Sequence, residues 1–139
     1  MKHFGHQIEV ARDRRRGVAA TELAVCLPII VLIVIGTIEA STMVFLKQSL
    51  TVAAFQGARQ AISNNNTAAD VRTAAEQILT QRRVAGGNVV IQPADISTVL
   101  PGQYINVTVT APARGNNVVP LSFYRGRTLS ATATMMKEL

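Results

Sequence analysis

The groups best placed for chemistry in this chain are one carboxylate and a peptide bond shortly before it. Glu22 stands at the head of residues 23–38, sixteen residues without a charge. Gly17 lies five positions earlier, and the basic cluster Arg14-Arg15-Arg16 directly precedes it. A charged group at the edge of hydrocarbon costs a few kcal/mol on insertion scales. Glu22 therefore needs a partner, or must snorkel towards the arginines. Nothing basic follows it in the same helix before Lys47. Cleavage after Gly17 would give Val18 a new α-amino group and make Glu22 the fifth residue of the product. An amine and a carboxylate four residues apart on a helix are near each other along its axis. Pairing within one chain or between neighbours would neutralise both charges.

No other constellation suggests catalysis. His3 and His6 both fall in the polar leader, and nothing nearby completes a metal site. The carboxylates are scattered, and no Ser/His/Asp set is visible. Gly86-Gly87 reads as a helix stop rather than a phosphate cradle. Cys26 is the single cysteine, so neither an intramolecular disulfide nor a zinc site can form from cysteines. Asn106-Val107-Thr108 matches a glycosylation sequon but falls in a predicted strand, and it is assigned no role. The chain is read as a non-enzyme without a cofactor.

Charge distribution favours a membrane over a nucleic acid. The net charge is +6, and about half of the excess precedes the apolar run. A positive flank beside a hydrophobic stretch orients a membrane span with that end in the cytoplasm. Aromatic residues make up 4% of the chain and do not interleave with the basic ones, so no nucleic-acid partner is expected.

The elements that carry these residues follow from periodicity. Residues 1–17 form a basic leader, expected to be disordered and cytoplasmic. Residues 23–38 give about 24 Å of helix, and residues 18–39 reach the length of a membrane span. Pro28 lies inside that helix and predicts a kink. Apolar and small residues at three- and four-residue intervals carry the helix on through 40–63. Ala53, Gly57 and Ala61 form a small-residue ridge, open either to the chain's own sheet or to another subunit. Ser63-Asn64-Asn65-Asn66 breaks the period. Thr67 caps a second helix, 68–84, with Asp70 in its first turn and Arg82 and Arg83 in its last. The period then changes to two. Strands are expected near 88–92, 104–111 and 127–137, with Ile105, Val107, Val109, Leu129, Ala131, Ala133 and Met135 inward. Residues 113–125 read as an exposed loop ending in Leu121-Ser122-Phe123-Tyr124. The fold class is α+β: a long helix, a second helix and a small antiparallel sheet in an extracytoplasmic domain, 40–139.

The motif resembles that of prepilin-like proteins, in which a short basic leader ends in Gly and is followed by four residues, a Glu and an apolar helix. Arg14-Arg15-Arg16-Gly17-Val18-Ala19-Ala20-Thr21-Glu22 fits at each position. Gly17–Gly36 is more narrowly similar to TadE-like pseudopilins of the Tad (tight adherence, Flp pilus) system, with an early Pro at Pro28 and Gly36-Thr37-Ile38-Glu39 near the end of the run. The final strand, Leu129 to Met135, also resembles that family. Two departures concern the major pilins: Leu23 stands where they have Tyr or Phe, and the C-terminal region is too large for one. The resemblance implies a minor pseudopilin, cut between Gly17 and Val18 by a prepilin peptidase. Its implied partners are pilins, other pseudopilins and the Tad machinery at the inner membrane of a bacterium. Glu22 would serve assembly. The alternative is a single-pass anchor with an extracytoplasmic partner-binding domain. A secreted domain is a further possibility, although Ile38-Glu39-Ala40 is a poor cleavage site.

Overall fold

An apolar sequence with a single proline and no polar break before residue 63 favours one uninterrupted helix. In the computed structural model α1 (His3–Ile62) is that helix, sixty residues long, and it passes through Pro28. Residues 3–63, 66–118, 124 and 126–138 are described, with side chains from Gly17 onward. The leader was expected to be disordered; its backbone is helical from His3, as part of α1. Pro28 removes the amide that would have bonded the carbonyl of residue 24. Hydroxyls elsewhere on α1 fold back onto the helix. Thr37 donates to the carbonyl of Ile33 at 2.8 Å and Thr42 to that of Ile38 at 2.9 Å. These polar side chains are thereby satisfied within their own helix.

The chain divides into two units, Met1–Thr37 and Ile38–Leu139. In the first, every side chain from 17 to 34 is exposed, and Leu23, Ile29, Leu32 and Ile33 each expose more than half of their surface. Among the described residues one helical stretch, Gly17–Ile62, is long and apolar enough to cross a membrane.

The second unit contains the core. Its part of α1 buries Met43, Leu46, Leu50, Ala53, Ala54, Ala58 and Ala61. Spacings of three, four and seven keep these residues on one face. α2 (Ala68–Gln81) starts at a capping box: Thr67 accepts from the Asp70 amide, and the Asp70 carboxylate accepts from the Thr67 amide. That carboxylate also accepts from the Thr67 hydroxyl at 2.7 Å. Hydrogen bonds from the hydroxyl and then the amide of Thr67 hold the Asp70 carboxyl below its ordinary 3.8. α2 buries Val71, Ala75 and Leu79.

Three antiparallel strands follow in the order β1 (Asn88–Gln92), β2 (Tyr104–Pro112) and β3 (Thr128–Met136). β2 is central, with Val107 opposite both Ile91 and Ala133 and Val109 opposite both Val89 and Ala131. Ile105, Val107 and Val109 are fully buried. The other face is polar and cross-bonded: the Thr108 and Thr132 hydroxyls meet at 2.9 Å, and Thr134 donates to Asn106 Oδ1 at 2.6 Å. Lys47 of α1 donates to the carbonyl of Ser130 in β3. A 3₁₀ turn at Ile96–Thr98, not expected from the sequence, is capped by Asp95, which accepts from the amide and the hydroxyl of Ser97.

Two expectations need correction. α2 ends at Gln81, so Arg82 and Arg83 lie beyond its last turn, and Gly86-Gly87 is not its stop. Arg82 caps the helix and Arg83 takes the left-handed conformation, with φ of 54°. Val84 then bonds back to Leu79 and Arg83 to Thr80, a Schellman termination with arginine where glycine is usual. β3 begins and ends one residue inside the expected 127–137, and β2 runs one residue past 111. Asn64 and Asn65, expected at the end of α1, and 119–123 and 125 of the expected loop lie outside the described residues.

The small-residue ridge meets the chain's own fold. A Cβ at Gly57 would lie 3.1 Å from Val107 Cγ1, 3.5 Å from Ala75 Cβ and 3.6 Å from the Val71 carbonyl oxygen. α1 therefore packs against β2 and α2 at once, and a methyl at position 57 would already press on Val107. Gly57→Leu is expected to overpack this junction at a cost of about 1–3 kcal/mol. Thermal unfolding of the full chain in detergent micelles, followed by circular dichroism, should shift down by about 4–8 °C per kcal/mol. An unchanged midpoint would show that the junction is not close-packed.

Candidate functional site

The predicted site residues lie along α1, in the unit formed by residues up to Thr37. The arginine side chains at 14, 15 and 16 lie outside the described residues. Gly17, Val18, Glu22 and Pro28 are all exposed. The helix itself sets the spacing of the central three. Val18 and Glu22 are four residues apart, about one turn. The Glu22 carboxylate has no hydrogen-bond or ion-pair partner among the described residues. Thr21 donates to the carbonyls of Gly17 at 2.8 Å and Val18 at 2.9 Å. The Gly17 carbonyl, on the expected scissile bond, is thus held in helical geometry by a side chain as well as by the backbone.

Gly17 has no packing reason to be glycine. A Cβ placed there meets nothing within 4 Å, and its φ is not in the left-handed region. Gly57 offers the contrast, since Val107, Ala75 and Val71 crowd the place where its side chain would lie. A requirement for glycine at position 17 would therefore come from something outside this fold.

The sequence noted Glu39 only within Gly36-Thr37-Ile38-Glu39 and gave it no role. In the second unit Glu39 is 1% exposed, and neither carboxylate oxygen has a hydrogen-bond partner. It heads the core stripe at the spacing 39, 43, 46, 50. That register was the available signal: a carboxylate where the pattern calls for an aliphatic residue. A buried polar group without a partner costs about 1–3 kcal/mol. Glu39→Leu completes the apolar stripe and is expected to raise the thermal midpoint of the full chain in micelles. A lowered midpoint would show that the carboxylate has a partner whose loss is costly.

Among the described residues no group of three or more His, Cys, Asp or Glu stands close enough to hold a metal ion. Cys26 is exposed and free. No curated protein and no solved structure matches the chain. Residues 17–59 match the family model described as TadE-like protein. The match begins at the glycine before the expected cut, spans Glu22, Pro28 and Glu39, and stops just beyond the Gly57 contact with the sheet. That family is pilus-associated and structural rather than catalytic. Over residues 17–59 of α1, the chain is similar to TadE-like proteins.

Proposed function

We propose that this chain is a minor pseudopilin that takes part in assembling a Tad/Flp-type adhesive pilus. It inserts in the bacterial inner membrane with the leader and Arg14, Arg15 and Arg16 in the cytoplasm and the α+β unit outside. A prepilin peptidase cuts between Gly17 and Val18. The new Val18 amine then pairs with Glu22, of the same or a neighbouring subunit, as the helix joins other pilins or pseudopilins and the Tad machinery. Pro28 lets the helix bend within the membrane. Loss of the leader removes the charges that held the N-terminus at the membrane face, which eases withdrawal of the helix into an assembly.

The observation that carries this reading is the spacing of Gly17 and Glu22 on a bare apolar helix. Among the described residues nothing packs where a Gly17 side chain would lie, and nothing partners Glu22. Each is costly or unnecessary to a simple anchor. Each has a use once a peptidase and a second subunit are present.

Processing and assembly separate by mutation. Gly17→Leu is expected to block cleavage, leaving the longer species on a gel of cells that contain the matching peptidase. Glu22→Ala should leave cleavage largely intact while pilus formation, or recovery of the pseudopilin complex, falls. Assembly undiminished by Glu22→Ala would remove the proposed role of that carboxylate.

A further inference from the structure

The sheet of the second unit has two unlike edges. α2 packs beside β1 at one of them. β3 forms the other, nine residues long and about 30 Å from end to end. Hydrogen bonds at its two ends show which groups face outward. The Ala113 amide donates to the carbonyl of Arg127, and the Lys137 amide to that of Gln103. Odd-numbered residues of β3 therefore bond to β2, and Thr128, Ser130, Thr132, Thr134 and Met136 turn their amides and carbonyls away from it. Among the described residues one of these outward groups is engaged: the Ser130 carbonyl accepts from Lys47 Nζ.

The apolar side of β3 is incompletely covered as well. On β2, Ile105, Val107 and Val109 are fully buried. On β3, Leu129, Ala133 and Met135 share that face but are only partly buried. From 128 to 136 the strand has no charge, no glycine and no proline, so nothing within it obstructs pairing. A further strand beside β3 would satisfy the outward backbone groups and cover these three side chains together.

Charge decides what that strand is. Lys47 lies against the edge at Ser130, Arg127 directly precedes β3 and Lys137 directly follows it. None of the three has an ion-pair partner among the described residues. Glu138 is the one acid next to them in sequence. A second copy suits this edge poorly. Pairing β3 with itself about Thr132 would set Arg127 of each copy opposite Lys137 of the other, and would bring two Lys47 side chains to one seam. Like charges directly opposite are destabilising. Carboxylates on the incoming strand would neutralise the same groups.

We propose that the free edge of β3 receives an extended, acidic peptide segment of another protein as a fourth strand. Backbone bonds to residues 128–136 hold it, its apolar side chains cover Leu129, Ala133 and Met135, and its carboxylates meet Lys47, Arg127 and Lys137. Strand addition takes affinity from backbone bonds and selectivity from alternate side chains. Lys47 leaves the Ser130 carbonyl to an amide of the added strand and turns to a carboxylate. The surface lies wholly within the second unit, so the proposal stands apart from cleavage at Gly17 and from the role of Glu22.

Fluorescence anisotropy on the full chain in neutral detergent micelles tests this. The probe is a labelled peptide as long as β3, of alternating valine and threonine, carrying two glutamates. The wild type is expected to bind it about tenfold more tightly than the same peptide with lysines for the glutamates. Methylating the backbone nitrogens of the peptide should abolish binding. Thr132→Pro removes an amide that faces away from β2, so it costs no bond within the sheet. It should weaken binding about tenfold, with an unchanged far-ultraviolet circular dichroism spectrum. Lys47→Gln leaves every backbone group in place and should narrow the preference for glutamate over lysine. Failure of the wild type to bind the glutamate peptide would overturn the proposal. Equal binding of the methylated peptide would exclude strand addition, and equal binding of the lysine peptide would exclude an acidic partner. Dimers of the wild type in the same micelles that Thr132→Pro abolishes would assign the edge to a second copy and overturn the proposal.

Discussion

One helix has to satisfy two kinds of surroundings, and the rest of the molecule follows from that. From residue 39 onward α1 presents a stripe that its own sheet and second helix cover. From 17 to 34 its apolar side chains are covered by nothing among the described residues. Apolar surface left in water costs on the order of 25 cal/mol per Å², so a bare apolar helix several turns long requires lipid or other helices around it. The covered part is built differently. Alanines and Gly57 replace the large aliphatics, because the backbone of α1 must approach β2 and α2 closely. Residue size changes along α1 with the kind of neighbour.

The two carboxylates that bracket the uncharged run show two ways of placing a charge badly for an isolated chain. Glu22 is exposed beside apolar residues, without a partner among the described residues. Glu39 is buried, and no group bonds to its oxygens. The first makes sense if processing and assembly supply an amine. The second costs the fold stability that an aliphatic residue would not. Arg82 and Arg83 are the positive counterpart, two guanidinium groups held beside a groove rather than paired with acids.

Much of the fold was legible because local patterns agreed with one another. The switch from three- and four-residue spacing to alternation located the sheet. Thr67 as cap and Asp70 in the first turn marked the start of α2, where the structure forms a capping box. The end of α2 was misread because two glycines at 86 and 87 looked like the stop, whereas Arg83 takes the left-handed position that glycine usually holds. Whether the ridge of Ala53, Gly57 and Ala61 met its own sheet or another subunit could not be read, since small residues suit either neighbour. Burial of Glu39 was hidden because a charge inside a stripe looks like its edge. The motif at Gly17 and Glu22, by contrast, is a run of neighbouring residues in one helix. Its meaning depends on other molecules, so folding adds geometry to it but no partner.

The most direct test is the mass of the mature N-terminus of the chain, isolated from cells that contain the matching peptidase. A processed pseudopilin begins at Val18. An intact Met1 would contradict processing and leave a plain membrane anchor, and a start near Ser41 would show a secreted domain.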